Sequence, residues 1–109
     1  LLIIKNSGAV SEIRSNSLSI KQKEKWITIG DNDGPAHMHI NTELIKNAEF
    51  IEEKKPERIS FSVQFFDQDQ NRILGAFFTK MYDQSNNLDT VRKQNYDNLR
   101  QKYSSKIKF

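Results

Sequence analysis

The 109-residue chain contains no cysteine. That one absence removes disulfides, thiolate metal sites and a cysteine nucleophile together, and it fits a cytoplasmic protein. Four glycines leave little material for a P-loop, a dinucleotide fingerprint or a nucleophile elbow, and none of these motifs is found. Serines are common, yet none stands in a recognisable arrangement with a base, so hydrolase chemistry has no support. No uninterrupted apolar run approaches the roughly 20 residues of a membrane helix, so no membrane partner is expected. The opening Leu1-Leu2-Ile3-Ile4 is too short for a signal peptide and lacks a basic lead-in. It reads as a strand cut close to its beginning, with residues upstream removed or not seen. An excess of one charge is missing too, the net charge being +3. Lysines gather at Lys21-Lys23-Lys25, Lys54-Lys55 and Lys106-Lys108, but acidic neighbours dilute two of the three groups. Nucleic-acid binding calls for a denser basic stripe with aromatics between the charges, so no nucleic-acid partner is expected. Solvated lysines that discourage pairing at strand edges explain these groups better.

What the chain does have is a globular balance, with 28% charged residues of both signs. Its length suits one domain over residues 1–109. The richest stretch runs from Arg58 to Tyr82. Ile59, Phe61, Val63 and Phe65 alternate with Ser60, Ser62 and Gln64, which predicts a strand with one buried face. Turn formers fill Asp67 to Asn71, and a second apolar segment runs from Ile73 to Met81. The pair predicts an antiparallel hairpin. The second strand is apolar on both faces from Leu74 to Phe78, as for a strand inside a sheet.

Short strands are expected at Leu1–Lys5, Ala9–Ile13, Leu18–Ile20, Trp26–Ile29, His37–Ile40 and Ala48–Glu53. Asn41 or Thr42 can cap one helical turn through Leu44 and Ile45. A terminal helix is predicted from Leu88 to about Tyr103. Asn86 or Asn87 would cap it, and Leu88, Val91, Tyr96, Leu99 and Tyr103 would form its apolar stripe. The expected fold class is α+β, a mainly antiparallel sheet with a C-terminal helix.

His37 and His39 are the only histidines. Two residues apart on a strand, they face one way, so both can reach one metal or one ligand. They are too few for a structural zinc site, which wants four ligands. Asp31, Asp33 or Glu43 could add a carboxylate, and two hydrogen-bonded imidazoles beside a turn is the structural alternative. Asp31-Asn32-Asp33-Gly34 and Asp67-Gln68-Asp69-Gln70-Asn71 both miss the calcium-loop pattern and read as turns.

From Gly34 to Tyr103 the order of features resembles the heme-utilisation family of HemS and ChuX type. The residues that carry it are Gly34-Pro35-Ala36-His37-Met38-His39-Ile40, Ala48 to Lys54, Ser62-Val63-Gln64-Phe65-Phe66-Asp67 through Ile73-Leu74, and the last helix with Tyr96 and Leu99. Upstream, Gly8-Ala9-Val10-Ser11-Glu12-Ile13 also looks like a strand of that family. The resemblance implies a cytoplasmic heme-binding or heme-trafficking protein of one antiparallel unit, acting as a homodimer, with heme or a related tetrapyrrole as its cofactor. This chain departs from the family in two ways. Trp26 stands on the strand where ChuX-like members carry a tyrosine used for heme, and the helical N-terminal portion is absent. Iron would then fall to His37 or His39, and Arg58 or the run from Lys21 to Lys25 would meet the propionates. A non-catalytic role is expected because no nucleophile or paired acid and base can be named. The alternatives are a dimeric interaction module of the same fold that has lost heme, a heme-degrading enzyme, or a small metalloprotein built on the two histidines.

Overall fold

The alternation at Ile59–Phe66 becomes an eight-residue strand of the main sheet in the computed structural model, which describes residues 1–14, 19–30 and 36–103. In chain order the strands are β1 (Leu2–Lys5), β2 (Val10–Ile13), β3 (Ile20–Lys23), β4 (Trp26–Ile29), β5 (Met38–Asn41), β6 (Asn47–Lys54), β7 (Ile59–Phe66) and β8 (Arg72–Phe77). A single 3-10 turn, Thr42–Leu44, lies between β5 and β6, and one helix, α1 (Thr90–Tyr103), follows β8. Asn41 caps the 3-10 turn by accepting from the Glu43 N–H.

The strands form two antiparallel sheets. One has the order β2-β1-β8-β7-β6, the other β3-β4-β5. Strand β8 lies between β1 and β7, inside the sheet as its apolar run predicts. Its register places Phe65 opposite Leu74 and Val63 opposite Ala76. The apolar segment was expected to stay extended as far as Met81. The strand instead ends at Phe77, and Lys80 at φ 57° turns the chain toward the helix.

Two cores result. Between the sheets lie Met38, Ile40, Ile45 and Leu74, with Leu2, Ile27, Ile29 and Phe65 packed on them. Under α1 lie Phe61, Met81 and Tyr96, with Phe50, Phe78 and Tyr82 around them. Tyr96 is 0% exposed. Its ring meets Phe50, Phe61 and Phe78 edge-on, with centroids 5.9, 4.9 and 5.1 Å away.

The helix corrects two expectations. It starts at Thr90, because Leu88 is held in a bridge to Tyr82 and Asp89 is the cap, its Oδ1 accepting from the Arg92 N–H at 3.0 Å. The five-residue stripe is not buried as a stripe. Of the five, Tyr96 alone is buried, while Val91 is 68% exposed and Leu99 and Tyr103 also face outward. One large ring inserted between three phenyl groups leaves the helix standing on a narrow base. The expected loop at Asp31–Pro35 and the position of Leu18 lie outside the described residues.

Candidate functional site

The three-stranded sheet has an inner and an outer face, fixed by its register. Ile27 pairs with Ile40 and Ile29 with Met38, and these four turn inward to the core. Side chains alternate along a strand, so the intervening rows point outward. Those rows are Lys21–Thr28–His39 and Lys23–Trp26–Asn41, each running across all three strands.

His37 and His39 come together on this outer face. Their rings are 5.2 Å apart and nearly perpendicular, and both residues are exposed. The Nδ1 of His39 lies 2.9 Å from Thr28 Oγ1. With Nδ1–H donating to that hydroxyl, Nε2 keeps the lone pair that a metal requires. His37 is placed by Gly30. At φ +89° this residue sits in the left-handed region, and a Cβ there would come within 2.6 Å of the Ala36 carbonyl oxygen and 3.1 Å of His37 Cα. The Gly30 N–H donates to the Ser19 carbonyl at 2.8 Å, tying the end of β4 to the entry of β3. Among the described residues no group of three or more His, Asp or Glu could hold a metal ion.

Geometry also restricts how the pair can be used. Both imidazoles rise from the same side of one strand. Set 5.2 Å apart, they would meet a bound group from one direction.

Arg58 stands elsewhere. Its guanidinium lies over the Tyr82 ring, 4.8 Å from the centroid. The Tyr82 hydroxyl accepts from the Ile59 N–H at 3.0 Å and donates to the Ile59 carbonyl at 2.9 Å. The hollow beside Arg58, about 250 Å³, is lined by Arg14, Phe77 and Phe78 and not by either histidine. The structure therefore brings His37 and His39 together and leaves Arg58 out.

Two features escaped the sequence reading. The first is a cleft of about 710 Å³, within the usual size of small-molecule sites. Ile45, Ile73 and Leu74 form its floor, and Glu43, Asp67, Asp69 and Lys46 stand around it. His39 borders it as well. Three carboxylates against one ammonium make this cleft a poor host for an anion. The second is a polar chain on the far side of the main sheet. Arg72 donates to Gln64 Oε1, Gln64 Nε2 donates to Ser62 Oγ at 3.0 Å, and Ser62 reaches the Ile51 carbonyl. Ser62 is only 1% exposed. The Phe77 ring lies over Gly75, where a Cβ would come within 2.6 Å of its Cε2. A glutamine within an aromatic strand and a glycine within an apolar one were the visible signals.

Comparison with known proteins follows from this architecture. A protein-family model described as "-like:-like" matches residues 1–105. No curated protein matches the chain. Among solved structures, ChuX superposes with a TM-score of 0.76 at 17% identity, covering 93% of this chain and 61% of its own. A protein from Erwinia carotovora gives 0.75 at 20% identity, with coverages of 93% and 61%. A protein from Agrobacterium tumefaciens gives 0.75 at 20%, with coverages of 94% and 58%. The chain thus spans about three fifths of the length of the solved proteins it matches. Those proteins share the fold, two antiparallel sheets and a C-terminal helix, and the family match runs across nearly the whole chain. The chain belongs to the family whose model spans residues 1–105, and its fold is that of ChuX.

Proposed function

We propose that this protein binds heme and passes it on without chemical change, within heme and iron utilisation in the cytoplasm. The observation that carries the reading is the exposed imidazole pair, with His39 held through Nδ1 by Thr28. Neutral imidazole nitrogen is a common axial ligand of heme iron, so the donor type fits the cofactor. The iron supplies the affinity for that nitrogen. The chain's own part is to fix the ring, through Thr28 for His39 and through Gly30 for the backbone at His37.

A homodimer belongs to the same reading. Ile3, Ile51, Phe66 and Phe77 lie only half-buried on the back face of the main sheet, around the Gln64–Ser62 chain. A second copy laid against that face would cover them in a two-fold arrangement.

The test is a hemin titration followed by the Soret band, with His37→Ala, His39→Ala and the double variant. One saturable site per protomer, weakened at least tenfold in the double variant and showing a five-coordinate rather than a bis-histidine spectrum, is expected. Saturable binding that survives the double variant would remove the histidines from the site. Uptake no better than that of an unrelated protein would favour the interaction module. Trp26, 43% exposed on the outer face of the three-stranded sheet, is the observation on the module's side.

A further inference from the structure

Three cations share one hollow at the end of the main sheet. Arg14 follows β2, Arg58 precedes β7 and Lys80 stands just past β8, and all three line the same space of about 250 Å³. Among the described residues that line it, none carries a carboxylate. Arg14 and Arg58 take part in none of the ion pairs formed among the described residues. Arg58 is nonetheless held in place. Its guanidinium lies 4.8 Å from the Tyr82 centroid, and the Tyr82 hydroxyl is tied to the N–H and the carbonyl of Ile59. Stacked on that ring, the guanidinium keeps its N–H edge for an acceptor. Ser60 lines the hollow too, and its buried Oγ has no hydrogen-bond partner among the described residues. Like charges gathered in one hollow repel, and a buried hydroxyl without a partner is unfavourable. One bound anion would relieve both.

We propose that this hollow binds a phosphate dianion, free or carried on a small organic body. Arg14 and Arg58 meet its oxygens, Lys80 adds charge, and Ser60 donates after a turn about χ1. The inference is independent of the heme reading. A space of about 250 Å³ lies below the roughly 300 Å³ at which small-molecule sites begin, so it suits a charged group and not a tetrapyrrole. Neither His37 nor His39 lines it. A planar guanidinium meets two oxygens at once, which favours a tetrahedral oxoanion over a halide. Walls supplied by Phe77 and Phe78 keep the local dielectric low and focus the field of the three cations.

The experiment titrates the ¹⁵N-labelled chain with inorganic phosphate at about pH 8, where the dianion dominates, and at constant ionic strength. Saturable amide shifts centred on residues 58–61 and 77–82 are expected, with chloride at least tenfold weaker. Arg14→Gln with Arg58→Gln should weaken phosphate at least tenfold. Arg100→Gln with Lys102→Gln, in the last turn of α1, removes as many charges and should weaken it less than twofold. Arg58→Lys keeps the charge without the fork and should still lose at least threefold. Phenyl phosphate sorts the source. Binding at least fivefold tighter than inorganic phosphate assigns an organic phosphate, and any smaller gain assigns the free ion. Equal losses in the two double variants, chloride as strong as phosphate, or shifts spread evenly over the surface would overturn the proposal. So would loss of phosphate binding in the His37→Ala, His39→Ala variant, which would place the anion on the other sheet. A failed hemin titration would end the heme reading and leave this one standing.

Discussion

The two cores of this protein are built from different materials. The one between the sheets is aliphatic, with Met38, Ile40, Ile45 and Leu74 spread over several strands. The one beneath α1 is aromatic and centres on Tyr96. Many modest contacts share the load in the first, so removal of one is partly absorbed by neighbours. In the second, the helix touches the sheet largely through a single ring. Stability there is concentrated, while the sheet that carries His37 and His39 rests on the distributed core.

Tyr96→Ala tests that concentration most severely. It should destabilise the protein by about 3–5 kcal/mol in urea unfolding. Hydrogen exchange should show α1 amides losing protection before those of β4 and β5. Leu74→Ala, in the aliphatic core, should cost about 2–5 kcal/mol and lower protection in both sheets together. Gly30→Ala would strain the corner under His37 and should cost about 1–3 kcal/mol. It should also shift the ¹H–¹⁵N signals of the His37 ring, whereas Leu74→Ala should leave those signals nearer their wild-type positions.

The smallest expected change is the most discriminating. Tyr96 Oη is buried and has no hydrogen-bond partner among the described residues. Burial, with Glu52 nearby, raises the Tyr96 pKa above its ordinary value of 10.0. The folded state therefore favours the neutral phenol. Its contribution is fully present below pH 10.0 and is lost as pH climbs from there through the folded-state pKa. Tyr96→Phe removes the unpaired hydroxyl and keeps the ring. It should leave stability at pH 7 within about 1 kcal/mol of wild type, or raise it, and should flatten the alkaline limb of a stability–pH curve. A loss above 2 kcal/mol would mean that the hydroxyl has a partner after all.

The sequence declared the fold best where local rules act alone. The alternation in Ile59–Phe66 and the two-sided apolar run of β8 predicted both the hairpin and its interior place. Asp67 and Asp83 build the same five-residue loop, each Oδ1 accepting from the N–H two and four residues on. Both loops read Asp-Gln-X-X-Asn, a pattern open to direct reading, although only the first was identified as a turn. The helix stripe misled because spacing says which residues share a face, not how much surface a sheet offers to cover them. The pairing of His37 with His39 was legible from their spacing, since strand alternation is local. The displacement of Arg58 from them was not. It follows from which strands become neighbours, and that is decided by contacts distant in sequence.

The order β2-β1-β8-β7-β6 has a kinetic consequence. Strand β1 can pair with β2 at once, through a short connection, but its other edge waits for residues 72–77. The Phe77 N–H closes that seam on the Leu1 carbonyl at 2.7 Å, across most of the chain. Closing so long a loop precedes most of the reward for burying β8, which places refolding in the milliseconds-to-seconds class of high-contact-order domains. Until the seam forms, the first hairpin exposes an unpaired edge, and in that interval one copy's β1 can capture another copy's β8.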